Sequence, residues 1–201
     1  MNQRYQQLKQ IKDEVLSLEN SPLFEYRKKH HHLPVIGEGS HQAEIMFIGE
    51  APGENEAKSG RPFCGAAGKV LDGFLKQVGL SRKDVYITNI VKDRPPGNRD
   101  PSEKEISIYA PFLIKQIQVI QPRIIATLGR FAMGFMMKNY GLKDKLGKIS
   151  FLHGKIFTVK SGYGQVYLVP LYHPAVVLYQ HSMKKTLEND FQVLTTIDSL
   201  V

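Results

Sequence analysis

Cysteine is nearly absent. Cys64 is the only thiol in 201 residues, which excludes an internal disulfide and any metal centre built from several cysteines, and fits a reducing compartment. Long apolar runs are missing as well: none approaches the ~20 residues of a membrane span, and the opening MNQRYQQLKQIKDE is polar. A cytoplasmic protein with no membrane partner is therefore expected. No internal repeat, low-complexity tract or linker breaks the chain, so residues 1–201 are expected to form one domain. Positive charge, by contrast, is abundant. Lys and Arg number 27 against 19 Asp and Glu, a formal net charge of +8, which favours a polyanionic partner such as nucleic acid.

Apolar periodicity gives the coarse architecture. Tyr5, Leu8, Ile11, Val15 and Leu18 recur at three- and four-residue steps, the pattern of an amphipathic helix. Four short β-prone runs follow, at 44–48, 85–90, 123–128 and 166–171. Helical patterns at 67–78 and 103–120 lie between the first three, the second opening with the cap-like PSEKE. A last helix is expected over 183–197, and 148–167 reads as a hairpin or irregular edge strands. Alternating strands and helices at this spacing predict a three-layer α/β/α sandwich around a central, largely parallel four-stranded sheet. Met133, Met136 and Met137, at helical spacing, read as core.

Ligands of open α/β sheets gather beyond the carboxyl ends of the strands. Glu50, Asn89, Gly129 and His173 each fall at or just past such an end. The stretch GEAPGENEAKSGRPFCGAAG, residues 49–68, is glycine-rich like a phosphate cradle, yet it carries Glu50, Glu54 and Glu56. Carboxylates repel phosphate, and the stretch matches neither G-x-G-x-x-G nor G-x-x-x-x-G-K-[ST]. Glutamate, asparagine and histidine lack the nucleophile of an acyl-transfer site, but they suit a nucleobase. An Asn amide offers a donor and an acceptor side by side for the O4 and N3–H edge of uracil. A histidine can donate to a carbonyl oxygen gaining negative charge, and a carboxylate can stabilise a cationic sugar or orient water. Phe63 is placed to stack on a base.

The ordered set GEAPG at 49–53, GRPF at 60–63, Gly65 with AG at 67–68, TN at 88–89, RPPGNRDP at 94–101, TLG at 127–129 and YHPA at 172–175 resembles the uracil-DNA glycosylase superfamily. The resemblance is closest to family 4 and extends over about 17–194. It implies that a flipped deoxyuridine is bound at the rim and its N-glycosidic bond hydrolysed, leaving an abasic site in base-excision repair. It further implies Phe63 as the stacking aromatic, Asn89 as the uracil-reading amide and His173 as donor to uracil O2. Glu50 takes the acidic position of the first motif, and Glu56 is a downstream acid that holds water or crowds out a thymine methyl. Ala51 and Gly53 line the base site, Gly53 standing where the best-known uracil glycosylases carry a thymine-excluding tyrosine.

Most members of family 4 hold a four-iron four-sulfur cluster on four cysteines. The matching places here are Leu18, Ser21, Asp93 and Tyr109, none of which supplies a thiolate, so no cofactor and no metal are expected. Leu18 and Tyr109 are expected to fill part of that space as apolar contacts. Arg61, Lys92, Arg94, Arg99, Lys184 and Lys185 are the candidates for holding the backbone of uracil-containing DNA, single- or double-stranded. No lysine lies in a catalytic motif, which predicts a monofunctional hydrolase without lyase activity; a monomer is expected. Two other readings stay open at this level: a glycosylase for hypoxanthine or xanthine, and a nucleic-acid-binding module without chemistry. Taken singly, Glu50 and Glu56 also read as solvated loop acids, and Cys64 as a packing residue.

Overall fold

The computed structural model describes residues 3–197; residues 1, 2 and 198–201 of the expected domain lie outside the described residues. Four mutually parallel strands form the centre of the sheet: β2 (Ile45–Gly49), β3 (Tyr86–Asn89), β4 (Ile124–Leu128) and β6 (Gly164–Leu171). They coincide with the four β-prone runs of the sequence. The sheet itself has six strands rather than four, because β1 (Glu38–Gly39) and β5 (Phe157–Ser161) add antiparallel edges to give the order β1-β3-β2-β4-β6-β5. A two-residue strand carries no periodicity to read. Of the two alternatives for 148–167 the hairpin is the one observed, with β6 running on to Leu171.

Residue alternation along the strands divides the core between the two faces. Met46 and Ile48 pack with Leu8, Ile11 and Val15 of α1 (Gln3–Leu16), with Tyr109, Leu113 and Ile117 of α5 (Glu103–Ile120), and with Met133, Met136 and Met137 of α6 (Arg130–Asn139). Phe47, one residue between them, turns to the opposite face. There it meets Leu71 and Phe74 of α4 (Ala66–Gln77) and Phe191 of α9 (Lys184–Thr196), with ring centroids of Phe47 and Phe191 5.8 Å apart. Short helices α2 (Phe24–Lys29), α3 (Glu54–Ser59), α7 (Ile149–Leu152) and α8 (Val176–Tyr179) fill the connections. The cap expected at PSEKE is a full capping box: Glu105 N–H donates to Ser102 Oγ, and Ser102 N–H donates to Glu105 Oε2 at 2.7 Å.

The chain runs from β2 to β3 on one side, then crosses to β4 on the other. Connections leaving β2 and β4 thus diverge, opening a crevice at the carboxyl ends of the strands.

Candidate active site

Gly49 closes β2 where that crevice begins, and its missing side chain is used. A Cβ there would lie 2.3 Å from Asn89 Oδ1 and 2.8 Å from the Phe63 ring. Asn89, at the end of β3, and Phe63, from the loop after α3, therefore meet above the Gly49 backbone. His173 follows β6 and brings its ring to 5.6 Å from that of Phe63. Asn89 is only 2% exposed, and its Oδ1 is buried without a hydrogen-bond partner. Leaving such an acceptor unpaired costs about 1–3 kcal/mol, so the position favours a ligand that brings a donor.

The imidazole of His173 is held in one tautomer. Ala175 N–H donates to its Nδ1 at 3.2 Å, so the ring proton is on Nε2. Burial lowers its pKa, partly opposed by the nearby Glu56 carboxylate. The group is thus a neutral donor. Glu50, partly buried at the end of β2, is pushed up to about 7, first by desolvation and then by the negative charge of Asp100, with Arg130 pulling the other way. A carboxyl poised there can hold or release a proton near neutral pH.

Glu56 is engaged in bracing the loop. Its Oε1 accepts from Cys64 N–H at 2.9 Å and Gly65 N–H at 2.8 Å, fixing the turn that carries Phe63. A Cβ on Gly53 would meet Glu56 Oε2 at 2.7 Å, so the glutamate occupies the space a side chain at 53 would take. Phe63 itself has a positive φ of 48°, and its carbonyl accepts from the Arg82 guanidinium, which also donates to Pro62 O at 3.0 Å. Ala51 packs partly buried against the α1–α5 side of the core.

The basic candidates divide. Lys184 and Lys185 are exposed at the start of α9, Lys185 with its amine 3.6 Å from the Glu188 carboxylate. Arg61 is exposed and bidentate to Glu38 at 2.8 and 2.9 Å, and Arg99 is exposed and bidentate to Glu105 at 2.6 and 2.8 Å. Arg94 is largely covered and joins Glu54 to Asn98. Lys92 is the correction: it is fully buried, its amine bonded to Thr88, Asn89 and Gln116, and it cannot meet a phosphate. Sequence reasoning missed Asp100 and Arg130, ion-paired at 3.1 Å and both acting on Glu50. Arg130 directly follows the TLG motif after β4, so the rim rule applied to every strand end would have found it.

The four places that correspond to cluster ligands do come together, but around a different chemistry. Ser21 and Tyr109 hydroxyls are 2.7 Å apart, and Tyr109 O–H donates to Asp93 Oδ2 at 2.5 Å. Arg27 donates to the same carboxylate at 3.0 Å and to the carbonyls of Val15 and Leu16 at 3.0 and 2.6 Å. Leu18 packs at the edge of the core as expected, and Tyr109 is buried in it, its ring an apolar contact as expected and its hydroxyl bonded to Ser21 and Asp93 in addition. Asp93, Tyr109 and Ser21 already satisfy one another and Arg27, and no sulfur is present, so these residues do not fit an iron–sulfur cluster. Among the described residues no group of three or more His, Cys, Asp or Glu is placed to hold a metal ion, and no helix is long and apolar enough to cross a membrane.

Known proteins match this chain over the same span. The family model for the Uracil DNA glycosylase superfamily matches residues 36–194. A protein named Type-4 uracil-DNA glycosylase from Sulfurisphaera tokodaii is 46% identical over 186 residues, 92% of this chain and 82% of that protein. One of the same name from Archaeoglobus fulgidus is 40% identical over 185 residues, covering 92% and 90%. A third, from Thermotoga maritima, is 40% identical over 151 residues, covering 74% and 73%. By these matches the chain belongs to the uracil-DNA glycosylase superfamily.

Proposed function

We propose that the protein excises uracil from DNA by hydrolysing the N-glycosidic bond of a flipped deoxyuridine, with Gly49, Glu50, Phe63, Asn89 and His173 forming the site. The observation that carries the assignment is the buried, unpartnered Oδ1 of Asn89 beside a histidine whose proton is on Nε2. Uracil N3–H supplies the donor that Oδ1 lacks, and the Asn89 amide nitrogen donates to O4. Phe63 covers the base face. Cytosine presents an amine at C4 and an acceptor at N3, and so mismatches both contacts.

As the bond between N1 and C1′ breaks, its electron pair moves into the uracil ring and charge collects on O2. His173 Nε2–H donates to that oxygen, while the sugar becomes cationic. Water adds to C1′ and gives its proton to the Glu50 carboxylate, whose pKa of about 7 suits it to receive one. Glu56 holds the Phe63 loop and walls the pocket at Gly53, where a methyl on the base would press.

Oligonucleotides carrying uracil, hypoxanthine, xanthine or thymine, treated with the protein and then with alkali to cleave abasic sites, test this reading. Cleavage at uracil and none at thymine is expected. Preferential cleavage at hypoxanthine or xanthine would replace the substrate, and no cleavage at any base would leave a binding module.

A further inference from the structure

Lysine is almost never fully buried without a charged partner, yet Lys92 is completely enclosed and none of its bonds is to a carboxylate. Its Nζ donates to Gln116 Oε1 at 2.6 Å, to the Asn89 carbonyl at 2.7 Å and to Thr88 Oγ1 at 2.8 Å. Burial pushes its pKa well down, whereas donating all three bonds requires the ammonium form with its three N–H groups. The acceptors are themselves fixed. Thr88 O–H donates to Ile36 O at 2.7 Å, and the Gln116 amide nitrogen donates to Ile36 O at 2.8 Å and to the Tyr86 hydroxyl at 3.1 Å. Lys92 thus joins the end of β3 to α5 and to the segment that precedes the sheet.

That placement bears on the site. Ile90 N–H donates to Gly49 O and Val91 N–H to Glu50 O, both at 3.0 Å, while Val35 N–H donates to Lys92 O at 2.7 Å. Residues 89–92 therefore tie the loop that carries Glu50 to the strand that carries Asn89. The side chain of Asn89 lies against Gly49 and Phe63, and its carbonyl is gripped by an amine in the core. With its amine in three hydrogen bonds and no exposed surface, Lys92 has no path to a sugar C1′ and does not act as a nucleophile.

We infer that Lys92 is a positioning residue for base reading: by bonding the Asn89 carbonyl together with Thr88 and Gln116, it fixes the peptide from which the Asn89 amide meets the base. This rests on Asn89 as the reader of the base, as proposed above. The geometry a reader must keep is narrow. A displacement of about 1 Å at a reacting group lowers rates by roughly a hundredfold.

A double-mutant cycle between Lys92→Met and Asn89→Ala tests the inference, read as single-turnover uracil release at saturating enzyme, with affinity for an abasic duplex and thermal unfolding measured on each variant. Lys92→Met alone is expected to slow release by about 10- to 100-fold with duplex affinity unchanged. In the Asn89→Ala background it is expected to add little, since it acts through that side chain. If Asn89→Ala is slow and Lys92→Met is not, or if the two losses multiply as independent effects, the positioning role is wrong while base reading by Asn89 stands. If Asn89→Ala releases uracil at the wild-type rate, base reading fails and this inference with it. Gln116→Met, which removes an acceptor that orients the amine, carries the same cycle should Lys92→Met not fold.

Discussion

Glu50 shows how a single side chain links stability to chemistry. Its pKa of about 7 lies above the usual carboxylate value because the site desolvates it and sets it near Asp100. The folded protein thus keeps this proton to a higher pH than the unfolded chain does. The stability it contributes is present at low pH and is lost as pH rises from the ordinary carboxylate range through about 7. Replacing Glu50 by Gln should accordingly raise the melting temperature relative to wild type more at pH 8 than at pH 5. Activity should move the other way: kcat/KM for uracil release rises with pH towards a plateau above about 7, where Glu50 is ionised. The Glu50→Gln variant should be slow and lose that limb. A wild-type profile flat from pH 5 to 8 would remove Glu50 from the chemistry.

Among the elements, the N-terminal region is fastened by the buried Arg27–Asp93 pair and its hydroxyl partners. Arg27 reaches back to the last carbonyls of α1, Asp93 follows β3, and Tyr109 belongs to α5. Tyr109→Phe leaves Ser21 and Asp93 each one partner short and should cost about 1–3 kcal/mol in denaturant unfolding. Asp93→Ala strands a buried guanidinium and should cost about 3–5 kcal/mol. The purified protein should be colourless and free of stoichiometric iron; iron at one cluster per chain would contradict this arrangement. Helix α8 leaves two large apolar side chains exposed. Tyr179, 88% exposed, and Leu178 stand on the helix that directly follows His173, Pro174 and Ala175. An apolar side chain there can occupy the gap a flipped nucleotide leaves in a duplex. Tyr179→Ala should slow excision from duplex DNA more than from single strands, and equal slowing on both would refute the assignment.

The central strands and the rim were legible because each strand is a contiguous apolar run, and because strand ends in a parallel sheet share one side. That Glu50, Asn89 and His173 lie along one rim follows from those two facts. What stayed hidden depends on partners distant in sequence. Lys92 reads as surface charge until Thr88 and Gln116 are seen to satisfy it in the core. Arg94 reads as a phosphate ligand until Glu54 pairs with it, and the brace that Glu56 Oε1 gives to two loop amides does not show in the sequence. Tyr109 reads as an apolar contact, which it is, but its hydroxyl bond to Asp93 does not show in the sequence.

Across the whole molecule the formal charge of +8 overstates what DNA meets. Lys92 and Arg27 are buried, and Arg61, Arg99 and Arg130 are paired with carboxylates. Each phosphate contact adds roughly 0.9 to the slope of log affinity against log salt on duplex DNA. Lys184→Ala with Lys185→Ala should therefore lower that slope by up to about 2, whereas Lys92→Met should leave it unchanged. Binding is the background for the reaction, in which Asn89 is proposed to read the base. The direct test is single-turnover base release from single-stranded oligonucleotides by Asn89→Asp beside wild type. A carboxylate at 89 cannot donate to O4 but can accept from the cytosine amine. Uracil release slowed by at least about a hundredfold, with cytosine release appearing, is the expected result. Uracil release at the wild-type rate, with cytosine untouched, would contradict it.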